Sequence, residues 1–186
     1  MEFHNYYMVL QKYSLVEFHD IDFFVEFDIM KLWSSTIGGA MIITFLGHSS
    51  VIKSEELFEK IVKTILENTR IDENISFFCG GYGDFDNLSL LACRSAKEKR
   101  PNSEIAFVTP YLKKLIKSKL YDLIIYPPLE NVPPKYAINK RNEWMIDKAD
   151  LVIAYVKYTY GGAYKGLLYA QKRKKRIINL ADCQYK

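Results

Sequence analysis

The sequence predicts an α/β fold, a Rossmann-like three-layer sandwich around a mostly parallel sheet, and two observations predict it. From Met41 onward short apolar runs alternate with longer segments of helical period, the arrangement of a parallel sheet covered on both faces. Three of the runs then switch sharply into glycine. These are Ile42 to Leu46 before Gly47-His48-Ser49, Ile75 to Cys79 before Gly80-Gly81-Tyr82-Gly83-Asp84, and Leu151 to Val156 before Gly161-Gly162. A strand that ends in glycine and opens a helix leaves bare backbone N–H groups at the positive end of the helix dipole, a setting that suits a phosphate.

Each element follows in order. After the first strand, Ser54 supplies a capping hydroxyl and Glu55-Glu56 two acids for a first helical turn. Leu57, Phe58, Ile61, Val62, Ile65 and Leu66 recur on one face, and the helix ends near Arg70. The second strand, residues 75 to 79, leads through the glycines into a helix with a narrow stripe of Leu88, Leu91, Ala92, Ser95 and Ala96, closed by Pro101-Asn102. Glu104 to Val108 make a third strand ending at Thr109-Pro110, and Tyr121 to Tyr126 a fourth ending at Pro127-Pro128. Proline lacks the N–H that a central ladder needs, so each marks where the chain leaves the sheet. Residues 127 to 134 form a candidate lid. A helix from about Lys135 to Lys148, a fifth strand from Asp150 to Val156, a helix from Gly162 to about Lys172 and a last run, Ile177 to Leu180, complete one domain without internal repeats.

The division is therefore residues 1–40 as an N-terminal extension and residues 41–186 as the Rossmann domain. The extension holds nine aromatics and two glycines with no clean period of 2 or 3.6. Two readings of it stay open. One is a misassigned start, with Met41 as the native beginning and Ile37-Gly38-Gly39-Ala40 encoded by a ribosome-binding sequence. The other is an amphipathic extension that packs through Leu15-Val16-Glu17-Phe18 and Phe23-Phe24-Val25-Glu26-Phe27.

Composition narrows the class. At 49% apolar and 26% charged, the 186 residues are those of an ordinary globular chain with one good core. No apolar run approaches the roughly 20 residues that span a bilayer, and no secretory layout opens the chain, so a cytoplasmic protein without a membrane partner is expected. Cys79, Cys93 and Cys183 have no CxxC spacing and three histidines for company, which indicates neither a disulfide framework nor a metal site. Residues 1–40 carry two Lys against six Asp or Glu, leaving +8 for the remainder of a chain whose net charge is +4. Much of that excess lies in Gln171-Lys172-Arg173-Lys174-Lys175-Arg176. A helix end favoured by its own dipole explains the run, and without interleaved aromatics nucleic acid is not an expected partner.

Ligands of a doubly wound sheet sit outside the carboxyl ends of the strands. The candidate ligand-binding residues are accordingly Gly47, His48 and Ser49; Gly80, Gly81, Gly83, Asp84 and Asp86; Arg141 and Asn142; and Gly161 and Gly162. His48 is either an acid/base or a hydrogen-bond partner within its turn. Asp84 and Asp86 cap a helix or accept from ribose hydroxyls. Arg141 and Asn142 share an inward stripe with Ile138 and Met145, so Arg141 meets either a ligand phosphate or the carboxylates of Asp147 or Asp150. Tyr160 or Tyr164 can stack on a base or simply pack. Cys79 reads as a small buried residue, because no base lies nearby in sequence.

Taken together, Gly47-His48, Gly80-Gly81-x-Gly83-x-Phe85-Asp86, Arg141-Asn142-x-Trp144-Met145-x-Asp147-x-Ala149-Asp150-Leu151 and Gly161-Gly162 resemble the SLOG superfamily, and within it the YpsA-like branch, over about residues 41 to 180. That superfamily is Rossmann-like and includes the DprA proteins, the Lonely Guy phosphoribohydrolases and sensor domains for NAD-derived nucleotides. The resemblance implies a nucleotide-type small molecule as partner, ADP-ribose- or NAD-like, held by a sensor or carrier that requires no cofactor; a homodimer is compatible with it. The alternative it implies is an N-glycosidic bond hydrolase of the Lonely Guy type. Those enzymes carry PGGxGTxxE, where this chain has Tyr160 at the proline, Tyr164 at the third glycine, Lys165 at the threonine and Leu168 at the glutamate. With the acid absent, catalysis would fall to Asp84, Asp86 or His48.

Overall fold

A computed structural model describes residues 8–11, 39–111 and 119–181. Seven strands form one sheet: β1 Met8–Gln11, β2 Met41–Gly47, β3 Ile75–Cys79, β4 Ser103–Val108, β5 Leu123–Tyr126, β6 Leu151–Tyr155 and β7 Arg176–Asn179. Their spatial order is β1-β5-β4-β3-β2-β6-β7, parallel throughout except for β1, which runs antiparallel along the outer edge of β5. The helices are α1 Glu55–Glu67, α2 Asp84–Lys99, α3 Pro134–Lys148 and α4 Gly161–Lys172. This is the expected Rossmann-like α/β sandwich. The pattern of residues 1–40 predicts no strand, so β1 is an addition to that expectation. The two aromatic stretches of the extension, at 15–18 and 23–27, and Cys183 lie outside the described residues.

Alternation within the buried strands sorts the core into two layers. Ile43, Phe45, Phe77, Ile105, Phe107 and Ile153 face α1 and α2, whereas Phe78, Ala106, Val108, Val152 and Ala154 face the side of α3 and α4. Ser54 accepts from the N–H of Leu57 at 3.1 Å, the cap its sequence position predicts. Leu57, Ile61, Val62 and Ile65 are buried.

Two helical phases differ from those the spacing predicts. In α2 the buried residues are Phe85, Leu88, Ser89, Leu90, Ala92, Cys93 and Ala96, while Leu91 is 51% exposed. Phe85 sets that rotation: it is wholly buried and stacks on Tyr155 with ring centres 5.8 Å apart. In α3 the inward residues are Ala137, Arg141, Met145 and Ile146, and Ile138 turns outward. Trp144 lies flat on Phe78, 5.6 Å between ring centres, which fixes the rotation of α3. In the candidate lid, residues 127–134, Pro127 and Leu129 are buried, Glu130, Asn131, Pro133 and Pro134 are exposed, and Val132 N–H donates to Leu129 O at 2.9 Å within the loop.

The basic run after α4 is largely occupied by the protein itself. Lys175 Nζ donates to the carbonyls of Asp147 and Ala149 at 2.7 and 2.9 Å, and Arg173 pairs with Asp147. Lys175 thus satisfies carbonyls at the end of α3, and Arg173 the side-chain carboxylate of Asp147 in its last turn.

Candidate functional site

From β2 the chain runs outward through β3, β4 and β5, then returns to the other side of β2 for β6 and β7. The order of the strands therefore reverses between β2 and β6, and their carboxyl ends bound the crevice where such sheets bind ligands. Gly47-His48-Ser49 enters it from β2 and residues 156–162 from β6. One side chain ties the two. Nε2 of His48 accepts from the N–H groups of Lys157 and Tyr158 at 3.0 and 3.3 Å. An accepting Nε2 puts the ring proton on Nδ1. Burial also lowers the affinity of the ring for a second proton. The Nε2 lone pair is thus already used, and His48 holds the turn rather than presenting a base.

The next two loops interlock. At Gly47 a Cβ would lie 2.3 Å from the ring of Phe85, so glycine there lets the start of α2 lie against β2. Ser49 is exposed, but its carbonyl accepts from the N–H of Asp84 at 2.9 Å, and a Cβ at Gly83 would lie 2.9 Å from Ser49 Cα. Gly83 has φ +148° and Gly81 φ +71°, backbone that side chains rarely adopt. Asp84 forms an ion pair with Lys53 at 2.7 Å, which holds its carboxyl below the usual range. Asp86 reaches back from the first turn of α2 to accept from the N–H of Tyr82 at 2.8 Å.

Arg141 closes this region from the other face of the sheet. It is 1% exposed, and Nη1 donates to the carbonyls of Gly80 at 2.7 Å and Val108 at 2.9 Å, joining the ends of β3 and β4. Its guanidinium lies 5.3 Å from the centre of the Tyr82 ring. Burial lowers the pKa of Arg141 and raises that of Asp86, and the attraction between the two opposes both shifts. Neither expected carboxylate meets it. Asp147 is taken by Arg173 and by the hydroxyl of Tyr169, and Asp150 accepts from the N–H of Ile42 at 2.8 Å. A buried arginine finds carbonyls wherever strands end, and that partner set leaves no trace in the spacing of carboxylates along a sequence.

The third glycine pair is different. Around Gly161, φ +83°, and Gly162 nothing lies within 4 Å of where a Cβ would stand, and Tyr160 caps α4 with no side-chain hydrogen bond to its N–H groups. Beside Gly162 a groove of about 80 Å³ runs between α3 and α4, lined by Asn139, Asn142, Glu143, Lys165, Gly166 and Tyr169. Asn142 is half-buried and also borders a water-sized void with Thr44, Met145 and Ile146. Tyr164 is half-buried against the α3–α4 core, whereas Tyr160 is 69% exposed. The residue the sequence reading passed over is Tyr158, whose ring sits 5.0 Å from that of His48 and 5.4 Å from that of Tyr160. Its signal was the spacing Tyr158-x-Tyr160, which in extended chain places two rings on one side. Among the described residues no three His, Cys, Asp or Glu side chains gather in a way that could hold a metal, and no helix is long and apolar enough to cross a membrane.

Comparison with solved structures places this fold. DNA processing protein A from Helicobacter pylori, described by its single-stranded DNA binding mode, matches with a TM-score of 0.57 at 15% identity, covering 82% of this chain and 71% of that one. DNA processing protein A from Streptococcus pneumoniae matches at 0.55 and 15% identity, covering 77% of this chain and 50% of that one. The structural-genomics target TM1055 matches at 0.50 and 13% identity, covering 74% and 72%. The chain thus shares its fold with these proteins, the fold that the resemblance implied. No protein-family model matches the sequence, and no curated protein does.

Proposed function

We propose that the chain binds a nucleotide or nucleotide derivative, ADP-ribose- or NAD-like, in the crevice between β2 and β6, as a cytoplasmic sensor or carrier of the YpsA-like branch. The observation that carries this reading is the open backbone at Gly161-Gly162, at the start of a 12-residue helix and beside a groove that Asn142 and Lys165 line. Backbone N–H groups at such a terminus suit a phosphate. A groove of about 80 Å³ takes a phosphate-sized group, well below the roughly 300 Å³ at which pockets for whole ligands begin, so the rest of the ligand lies along the surface.

The rival reading, hydrolysis of the N-glycosidic bond of a nucleoside monophosphate, has less support among the residues that would carry it. Leu168 stands where the resembling motif has its glutamate, Asp84 is paired with Lys53, and His48 Nε2 is taken as a base by backbone N–H groups. Asp86, the acid whose pKa burial raises, is shut in between the Tyr82 N–H and Arg141 rather than opening on the groove beside Gly162. Single-stranded DNA is a second reading, supported by the fold shared with a DNA processing protein described by that binding; the expectation that nucleic acid is no partner therefore loses its force.

Titration calorimetry of the protein with AMP, ADP-ribose, NAD and a single-stranded oligonucleotide tests these readings together. The expected outcome is saturable binding of one of the three small molecules, with no free base detected by chromatography after long incubation. If none of them binds, the proposal fails. Free base that disappears in Asp84→Asn or Asp86→Asn would establish the enzyme instead.

A further inference from the structure

Beside the open glycines stands a ladder of three rings. His48, anchored at the end of β2, lies 5.0 Å from Tyr158, and Tyr158 stacks on Tyr160 at 5.4 Å and 21° between planes. Large aromatic rings normally bury their area, yet Tyr158 is 51% and Tyr160 69% exposed. The ladder is nonetheless built. Its base is fixed by the two hydrogen bonds from the loop to His48, and its top belongs to the residue that caps α4. The two tyrosines occupy each other's inner faces, so nothing slides between them and the ring of Tyr160 is the one that ends the stack.

We propose that Tyr160 is the base-stacking platform of the site, taking the nucleobase of a small nucleotide whose phosphate lies toward Gly161-Gly162. This rests on the nucleotide reading above and adds the group that reads the base. Charge selects the occupant. From Val156 to Gly166 the chain has Lys157 and Lys165, both exposed, and no acid, while Glu143, which lines the groove from α3, is already paired with Lys140; the excess charge is cationic and favours an anionic partner carrying a flat π-face. No exposed aliphatic side chain adjoins the rings within residues 157–162, as a peptide-docking patch would have. One terminal ring followed at once by two bare glycines matches one base joined to one phosphate better than the succession of separate stacking sites along which a single strand lies.

The test compares AMP with ribose 5-phosphate, which keeps the phosphate and loses the base, on the full chain and on Tyr160→Ala and Tyr160→Phe. Tyr160→Ala is expected to weaken AMP by roughly 5- to 150-fold, the range for losing one base–aromatic stack, while leaving ribose 5-phosphate unchanged. Tyr160→Phe keeps the ring and is expected to bind both as the parent does. Equal AMP affinity in parent and Tyr160→Ala overturns the platform while leaving the nucleotide reading intact. A parallel loss for ribose 5-phosphate overturns it too, since the substitution would then have moved the helix start. An oligothymidylate bound more tightly than AMP with the same dependence on Tyr160 overturns the choice of a small nucleotide. If the parent binds no nucleotide at all, it is the underlying reading that falls.

Discussion

The loop after β3 and the loop after β6 both read as glycine-rich turns opening a helix, yet the protein uses them in opposite ways. Around Gly80, Gly81 and Gly83 a Cβ would fall within 3 Å of Arg141, Asp86, Phe107 or Ser49, so the missing side chains make room for the protein's own atoms. Around Gly161 and Gly162 there is nothing to make room for. Glycine admits close approach without saying what approaches. The first loop is filled from within, and the second is open. A string of glycines in a sequence therefore marks a close approach, and the neighbours in space decide whether it is a core joint or a binding edge.

The largest effect that would break this comparison is at Arg141. From its sequence position alone, Arg141→Ala is expected to cost ligand affinity more than stability; its partners in the structure reverse that order. Removing it strands the carbonyls of Gly80 and Val108 and leaves Asp86 shut in without its cation. Losing one partner of a buried charged set costs about 3–5 kcal/mol, or roughly 6–20 °C of melting temperature in a chain of this size. Differential scanning calorimetry of the variant gives the answer, and a melt within 2 °C of the parent would return Arg141 to the ligand.

A smaller and sharper contrast comes from adding one methyl group to each loop. Gly80→Ala puts a carbon 2.7 Å from both Arg141 Nη1 and Asp86 Oδ2, an overpacking expected to cost about 1–3 kcal/mol. Gly162→Ala meets open space and keeps a backbone that alanine adopts, so its melt is expected to match the parent or rise by a degree or two, from reduced freedom of the unfolded chain. Its AMP affinity is expected to fall. Equal melts for the two variants would erase the distinction between a filled loop and an open one.

The smallest effect is a pH dependence at the joint between the loops. Burial depresses the pKa of folded His48, so the unfolded chain takes up a proton first as pH falls below about 6.5, the ordinary value for histidine. The contribution of His48 to stability is thus fully present above that value and is lost as pH falls toward the folded pKa, where protonation ends acceptance from Lys157 and Tyr158. An NMR titration of the His48 ring is expected to give a midpoint below 6.5, with the amide signals of Lys157 and Tyr158 moving alongside it. A midpoint at or above 6.5 would mean that the ring is not held in this way.

Much of the architecture was legible without coordinates, because burial on both faces writes parallel strands as apolar runs and helices as a 3.6-residue period. The strands from 75 to 79 and 104 to 108, the cap at Ser54 and the helix reaching Lys148 could be read directly. The rotations of α2 and α3 could not, since each is set by a contact distant in sequence, Phe85 on Tyr155 and Trp144 on Phe78. Nor could the strand at Met8–Gln11, whose pairing with β5 comes from a ladder and not from a pattern of its own.

The sequence by itself determined the class of fold, the order of its elements and the three places where strands give way to glycine, all of which follow from local composition and period. Only the tertiary structure decided what surrounds those glycines. It gave Arg141 Nη1 two backbone carbonyls, spent the His48 lone pair on a neighbouring turn, left Gly161 and Gly162 bare and separated exposed Tyr160 from half-buried Tyr164. The physical reason is that a polar or aromatic side chain takes whichever partner space brings within reach, and the distance from residue 80 to residue 141, or from 48 to 158, is set by the sheet rather than by the chain between them.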